Sequence, residues 1–227
     1  MTGDLRPPAH YWFARWAVWL FTKAMFRWRI RGRQNYPRSG AVVLAPTHRS
    51  YVDIMITGAD YPERQVSFMA KKELFANRIF GRLLSDWGAF PVDREGLARA
   101  ALTEALRRLE AGHVVGVFPE GTRRFGDAIV DLQAGAVYLA LKTGAPLVPV
   151  ALAGTGEAWP KGAKFMRSSK VRGVVGEPIV LARPAGKIPK AAEVEAGNAS
   201  LQVALTALME EARAWRDGRA LRSGGAE

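Results

Sequence analysis

Short apolar runs at 41–46, 66–70, 114–118 and 147–152 alternate with stretches whose apolar residues recur at helical spacing. No other feature constrains the fold as strongly. Each run is apolar almost without a break, so both of its faces are expected to be buried. That is the signature of strands in a parallel sheet covered by helices on two sides. Leu97, Ala101, Leu102, Ala105, Leu106 and Leu109 give one helical repeat, and Gly112 is placed to stop it. A second helix near 132–143 is expected to end at Gly144, and a further strand to end at 174–176. Residues 191–217 carry Leu201, Leu205, Leu208, Ala212 and Trp215 along one helical face. The expected class is α/β, with a largely parallel mixed sheet flanked by helices. A chain of 227 residues suits one sizeable core. We divide it into an N-terminal helical segment, 1–34, and a single α/β domain, 35–227.

The N-terminal segment has its own character. Four of the seven tryptophans, Trp12, Trp16, Trp19 and Trp28, fall between residues 8 and 30. Arg15 and Lys23 interrupt the apolar run before it reaches the ~20 residues a membrane-spanning helix needs. A secretory signal would close on small residues, whereas here Arg27, Arg29, Arg31 and Arg33 follow. Tryptophan mixed with arginine and lysine suits the lipid headgroup boundary, where rings lie at the interface and cations meet phosphates. The expectation is an interfacial membrane-anchoring helix over 8–30. The competing expectation is a helix that caps the core, with its arginines in water.

Charge narrows the partners. Thirty-three Lys and Arg against 21 Asp and Glu give a formal charge of +12. That selects anionic partners: nucleic acid, an anionic membrane surface, or phosphorylated and CoA-type substrates. No helix-turn-helix, zinc or RNP-type pattern is present, so nucleic acid is not the expected partner. With no cysteine, disulfides, thiolate metal sites and cysteine nucleophiles are excluded. His10, His48 and His113 lie far apart in sequence, so no metal site is expected. Lys161, Lys164, Arg167, Lys170 and Arg172 form a basic loop without an acid.

The chemistry is expected just past the first of these strands. His48 follows the run at 41–46, where α/β sheets place reactive groups, and Asp53 lies five residues further on. On one continuous helix, residues five apart point about 140° away from each other. The two can therefore meet only if His48 lies on a loop and Asp53 in the first turn of a helix, with Ser50 as candidate N-cap. In that geometry the carboxylate fixes the imidazole tautomer and leaves the other nitrogen free as a base. A capping Asp beside a loop His accounts for the same spacing.

Further polar groups follow other strands, and consecutive parallel strands end on one crevice. Asp93, Arg94, Glu120, Gly121 and Arg123 are placed to line it with His48 and Asp53. Arg94 and Arg123 offer forked donors to a phosphate and Lys71 a point charge. Gly121 lets backbone approach a ligand, while Glu120 can accept from a hydroxyl or orient an arginine.

Together these blocks resemble the glycerolipid acyltransferase family, of the 1-acylglycerol-3-phosphate acyltransferase type. His48 to Asp53 is similar to its His-x-x-x-x-Asp motif in a Thr-His-x-Ser context. Gly88 to Arg94 resembles its second block, Phe118 to Arg123 its third, and Val148 to Leu152 its fourth. Ala70-Lys71-Lys72-Glu73-Leu74 is similar to its lysine-bearing segment, with Lys71 favoured. The chain departs from the family where a lysine often precedes the Gly-Ala that opens the helix near 135; Leu132-Gln133-Ala134 stand there instead.

The resemblance implies His48 and Asp53 as catalytic residues, and Lys71, Arg94, Glu120, Gly121, Thr122 and Arg123 as substrate-binding residues. It implies acyl transfer from acyl-CoA or an acyl carrier protein to the free hydroxyl of 1-acylglycerol 3-phosphate, giving phosphatidic acid, with no cofactor. Other acceptors stay open: lyso-ornithine lipid, another lysophospholipid or glycerol 3-phosphate. So do an inactive peripheral membrane protein and a basic nucleic-acid-binding module. The expected place of action is an anionic membrane surface, on its cytoplasmic face.

Overall fold

The computed structural model describes residues 7, 9–61, 63–92, 98–184, 186 and 188–219. Seven strands form one sheet in the order β1-β7-β6-β2-β5-β3-β4. They are β1 (Arg29–Arg31), β2 (Val42–Pro46), β3 (Val66–Lys71), β4 (Phe90–Val92), β5 (Val114–Gly116), β6 (Leu147–Ala153) and β7 (Arg172–Val175). Strands β2, β3, β4, β5 and β6 are mutually parallel; β7 runs antiparallel to β6, and β1 lies parallel to β7. The sheet is thus largely parallel and mixed, as the apolar runs require.

The helices are α1 (Ala9–Phe26), α2 (Val52–Asp60), α3 (Arg78–Asp86), α4 (Ala98–Glu110), α5 (Gly135–Thr143), α6 (Thr155–Ala158) and α7 (Ala191–Asp217). Every residue of β2 is buried, and its side chains alternate between two apolar layers. Val43 and Ala45 point to the layer formed with α4, α5 and α7. Val42 and Leu44 point to the layer that holds Val52 and Ile56 of α2 and Phe26 of α1. Burial on both faces explains why these strands read as unbroken apolar runs.

The N-terminal region differs from an uninterrupted helix over 8–30. α1 ends at Phe26, Arg27 turns the chain with φ 42°, and Trp28 is fully buried. Arg29–Arg31 then pairs with β7, so these three residues belong to the sheet. The cations of α1 face inward. Arg15 Nη2 donates to the Tyr61 carbonyl at 2.8 Å, and Lys23 Nζ lies 4.0 Å from the centre of the Trp28 ring. Outward-facing positions are Ala9, His10, Trp12, Phe13, Trp16, Ala17, Leu20, Phe21 and Ala24, all apolar after His10. No helix among the described residues is long and apolar enough to cross a membrane.

Candidate active site

Parallel register brings the C-terminal ends of β2, β5 and β6 to one edge of the sheet. The Thr47 N–H donates to the Val150 carbonyl at 2.9 Å, and the Thr47 Oγ1 accepts from the Leu152 N–H at 3.1 Å. These bonds fix the last point of β2 before the chain leaves the sheet. His48 then lies on a loop and Asp53 in the first turn of α2. His48 Nδ1 is 3.2 Å from Asp53 Oδ2. That oxygen also accepts the backbone N–H of Arg49 at 2.6 Å and of Ser50 at 2.7 Å. An oxygen that already accepts two N–H groups is an acceptor toward the ring as well, so Nδ1–H donates to it and Nε2 is left as the basic nitrogen. Asp53 is fully buried, while the His48 side chain is 13% exposed.

Tyr51, not Ser50, stands at the N-cap of α2. The Ser50 hydroxyl still accepts the N–H of Val52, the first residue of the helix, at 3.3 Å, and it donates to the Trp159 carbonyl at 3.0 Å, tying the loop to the segment after α6. The N–H groups of Arg49 and Ser50, ahead of the helix, are taken by the Asp53 carboxylate.

The His48 ring stacks on Phe118, centroids 3.9 Å apart and planes 20° apart, and Phe118 stacks on Phe68 at 5.7 Å. Glycine permits this column. A Cβ on Gly116 would lie 2.3 Å from the Phe68 ring, so any larger residue in β5 would displace it. The imidazole is thereby held from one side by a carboxylate and across its face by an aromatic ring.

Glu120 is 1% exposed and sits beneath the same loop. Its Oε1 accepts the His48 N–H at 2.8 Å, and its Oε2 pairs with Arg49 Nη1. Burial raises its pKa above the ordinary value, against the pull of Arg49 and the His48 N–H. Arg49 is itself buried and reaches the His48 carbonyl at 3.2 Å and the Ala128 carbonyl at 3.1 Å. The Arg124 N–H also donates to the His48 carbonyl, at 2.9 Å. The loop carrying His48 and the loop after β5 are therefore one bonded unit. Of the two roles open to Glu120, accepting from a hydroxyl or orienting an arginine, the structure shows the second, and each of its oxygens serves a protein donor.

The remaining expected residues fall out unevenly. The Phe118–Gly121 turn closes through the Gly121 N–H to the Phe118 carbonyl at 3.0 Å, with Gly121 at φ +67°. Gly121 and Thr122 are exposed beside it, and Gln133 Cγ lies 3.0 Å from the point where a Gly121 Cβ would stand. The Arg123 guanidinium stacks on Tyr51 at 4.0 Å, within the same edge of the sheet. Lys71 ends β3, two strands from β2; its backbone alone is described. Asp93 and Arg94 lie outside the described residues. Arg49 and Arg124 were not singled out from sequence. Nothing in a lone arginine distinguishes a buried clamp from a solvated side chain.

Comparison with known proteins follows this geometry. A family model described as Acyltransferase matches residues 27–153. A Bacillus subtilis (strain 168) protein named 1-acyl-sn-glycerol-3-phosphate acyltransferase is 36% identical over 151 residues, spanning 66% of this chain and 73% of its own. A protein of the same name from Streptococcus pneumoniae is 31% identical over 135 residues, 56% of this chain and 50% of its own. The crystal structure of the 1-acyl-sn-glycerophosphate (LPA) acyltransferase PlsC from Thermotoga maritima shares the fold. Its TM-score is 0.66 at 22% identity, covering 88% of this chain and 83% of that one.

Proposed function

We propose, for a chain that belongs to the acyltransferase family and is an acyltransferase, that the acceptor is 1-acylglycerol 3-phosphate and the product phosphatidic acid. The observation that carries the reading is a buried Asp53 holding a partly exposed His48 with Nε2 left as base. The names of the Bacillus and Streptococcus relatives supply the acceptor.

In this reading Nε2 removes the proton of the acceptor hydroxyl as its oxygen attacks the thioester carbonyl. Asp53 stabilises the imidazolium that results. The tetrahedral intermediate collapses with loss of the thiolate, which takes the proton back from His48. No covalent enzyme intermediate forms, and no cofactor takes part. Glu120 and Arg49 hold the His48 backbone and act as positioning residues. Gly121, Thr122 and Arg123, with Lys71 and Arg94, are assigned to binding the acceptor phosphate. The donor is a soluble acyl thioester, acyl-CoA or an acylated carrier protein. One observation favours another lysolipid as acceptor: Gln133, which lies over Gly121, is neutral where the family often carries a cation.

The exposed face of α1 supports a place for the reaction. Phe13 is 72% and Trp16 56% exposed, with Leu20 and Phe21 beside them. We assign this face to one leaflet of an anionic membrane, with the sheet edge held where a lysolipid arrives. The side of the membrane is the cytoplasmic one, where acyl thioesters are available.

The test is purified protein with acyl-CoA or acylated carrier protein and a panel of acceptors. Phosphatidic acid should form fastest, and His48→Ala should lose about 10²- to 10⁴-fold in rate while remaining folded. A preference for lyso-ornithine lipid or glycerol 3-phosphate would replace the acceptor assignment. Equal activity in His48→Ala would remove the catalytic one.

A further inference from the structure

Four arginines lie together at the β1 edge of the sheet. Arg29 is paired in register with Arg172, and Arg31 with Val174, so the exposed side chains of β1 rise on the face that carries Trp215 of α7. The Arg31 guanidinium lies 4.1 Å and that of Arg172 5.1 Å from the Trp215 ring centre. Arg172 is 9% exposed, and its Nη1 donates to the carbonyls of Arg27 at 2.8 Å and Val171 at 2.7 Å. Its Nε is buried without a hydrogen-bond partner. Burial and then the charges of Arg29, Arg27 and Arg31 all push the Arg172 pKa down.

Neighbouring arginines are treated differently. Arg33 pairs with the buried Asp60, and Arg216 with Glu157 at 2.6 Å and Asp217 at 3.0 Å. Among the described residues, no carboxylate pairs with Arg27, Arg29, Arg31 or Arg172. Like charges held this close oppose folding unless a counter-charge joins them. Two forked donors over a flat indole, with the charges of Arg27 and Arg29 beside Arg172, suit the oxygens of a phosphate.

We propose that Arg31 and Arg172 over Trp215, with Arg27 and Arg29 beside them, form a binding site for phosphate esters separate from the site at His48. The strand register Ala153↔Arg172 places it at the same end of the sheet as His48. Two strands, β6 and β7, lie between β2 and β1, about 14 Å at the usual strand spacing. The ligand group is a phosphate that a soluble phosphate ester or a membrane lipid headgroup can supply. This site does not depend on the acceptor reading, and its readout needs no turnover.

The experiment compares the full-length protein with Arg29→Ala/Arg31→Ala, which removes two exposed side chains and leaves the backbone of β1 paired. Arg172 is left in place because its hydrogen bonds hold the turn at Arg27. Lys161→Ala/Lys164→Ala removes the same charge elsewhere. One arm titrates inorganic pyrophosphate by tryptophan fluorescence, with Trp215→Phe identifying the local signal. The other measures co-sedimentation with phosphatidylglycerol vesicles. The site predicts about tenfold weaker binding by the arginine variant in at least one arm, with the lysine variant close to the parent. Loss confined to pyrophosphate identifies a soluble phosphate ester as the source, and loss confined to vesicles a lipid headgroup. Equal losses in both variants, or none in the arginine variant, would overturn the proposal.

Discussion

At the residue scale, the imidazole depends on groups that never meet the substrate. Asp53 sets the tautomer, Phe118 sets the ring plane, and Glu120 sets the backbone of His48 through its N–H. If Glu120 instead gripped the acceptor, its removal would act on KM. Glu120→Gln keeps an acceptor for the His48 N–H but leaves the Arg49 cation buried without a counter-charge. Breaking a buried pair in this way costs about 3–5 kcal/mol. We expect a loss of that order in chemical denaturation, a lowered kcat and an acceptor KM close to the parent. A tenfold rise in KM with stability unchanged would return Glu120 to the substrate. His48 and Asp53 were legible in the sequence because a strand end, a turn residue and a five-residue interval leave little geometric freedom. The Arg49–Glu120 clamp was not, because it joins residues 71 apart and shows only once two loops are in contact.

At the element scale, α1 is legible in composition and not in orientation. Its cations looked like an outward face for headgroups, yet Arg15 and Lys23 serve the interior and the outward face is apolar from Trp12 onward. β1 escaped notice because Arg-Ile-Arg has no apolar run; pairing with β7 makes it a strand. The orientation of α1 gives a prediction. Phe13→Ser/Trp16→Ser/Leu20→Ser should cut partition into anionic vesicles about 100-fold, at about 1 kcal/mol for each ring or chain half withdrawn from lipid. Thermal stability should hardly change, since these side chains stand largely outside the core. A parent-like partition would leave α1 a helix that caps the core. α4 makes a separate prediction, about pH. Hydrogen bonds from Arg107 first, and from Arg108, carry the Glu104 pKa from 4.5 down to about 2 against its partial burial. A carboxylate depressed on folding stabilises above its unfolded pKa and loses that contribution as pH falls through the folded one. Glu104→Gln should therefore flatten the fall in stability between about pH 4.3 and pH 2 that the parent shows, as read by thermal melts across that range.

At the scale of the whole molecule, parallel strands collect chemistry at one edge and leave two apolar faces to be covered. The matched family stretch ends at Ala153, the last residue of β6, so β7 and α7 lie beyond it. Yet α7 closes one face: Leu201, Leu205, Met209 and Ala212 are buried against Leu139, Ala140, Leu147, Ala151 and Ala153. Removing residues 191–227 would expose that layer at once. Losing a buried leucine or methionine side chain costs about 2–5 kcal/mol, and the stability of a whole domain is about 5–15 kcal/mol. Three such losses together reach the total. The truncated chain is therefore expected to lack a cooperative unfolding transition and to be digested rapidly by protease, even though the family stretch and every acceptor-site residue remain. Leu205→Ala alone should lower stability by about 3 kcal/mol without touching kcat, because α7 packs on the face of the sheet away from the His48–Phe118 column. A truncated protein that still melts sharply near the parent temperature would make α7 an accessory and the single domain 35–227 too long.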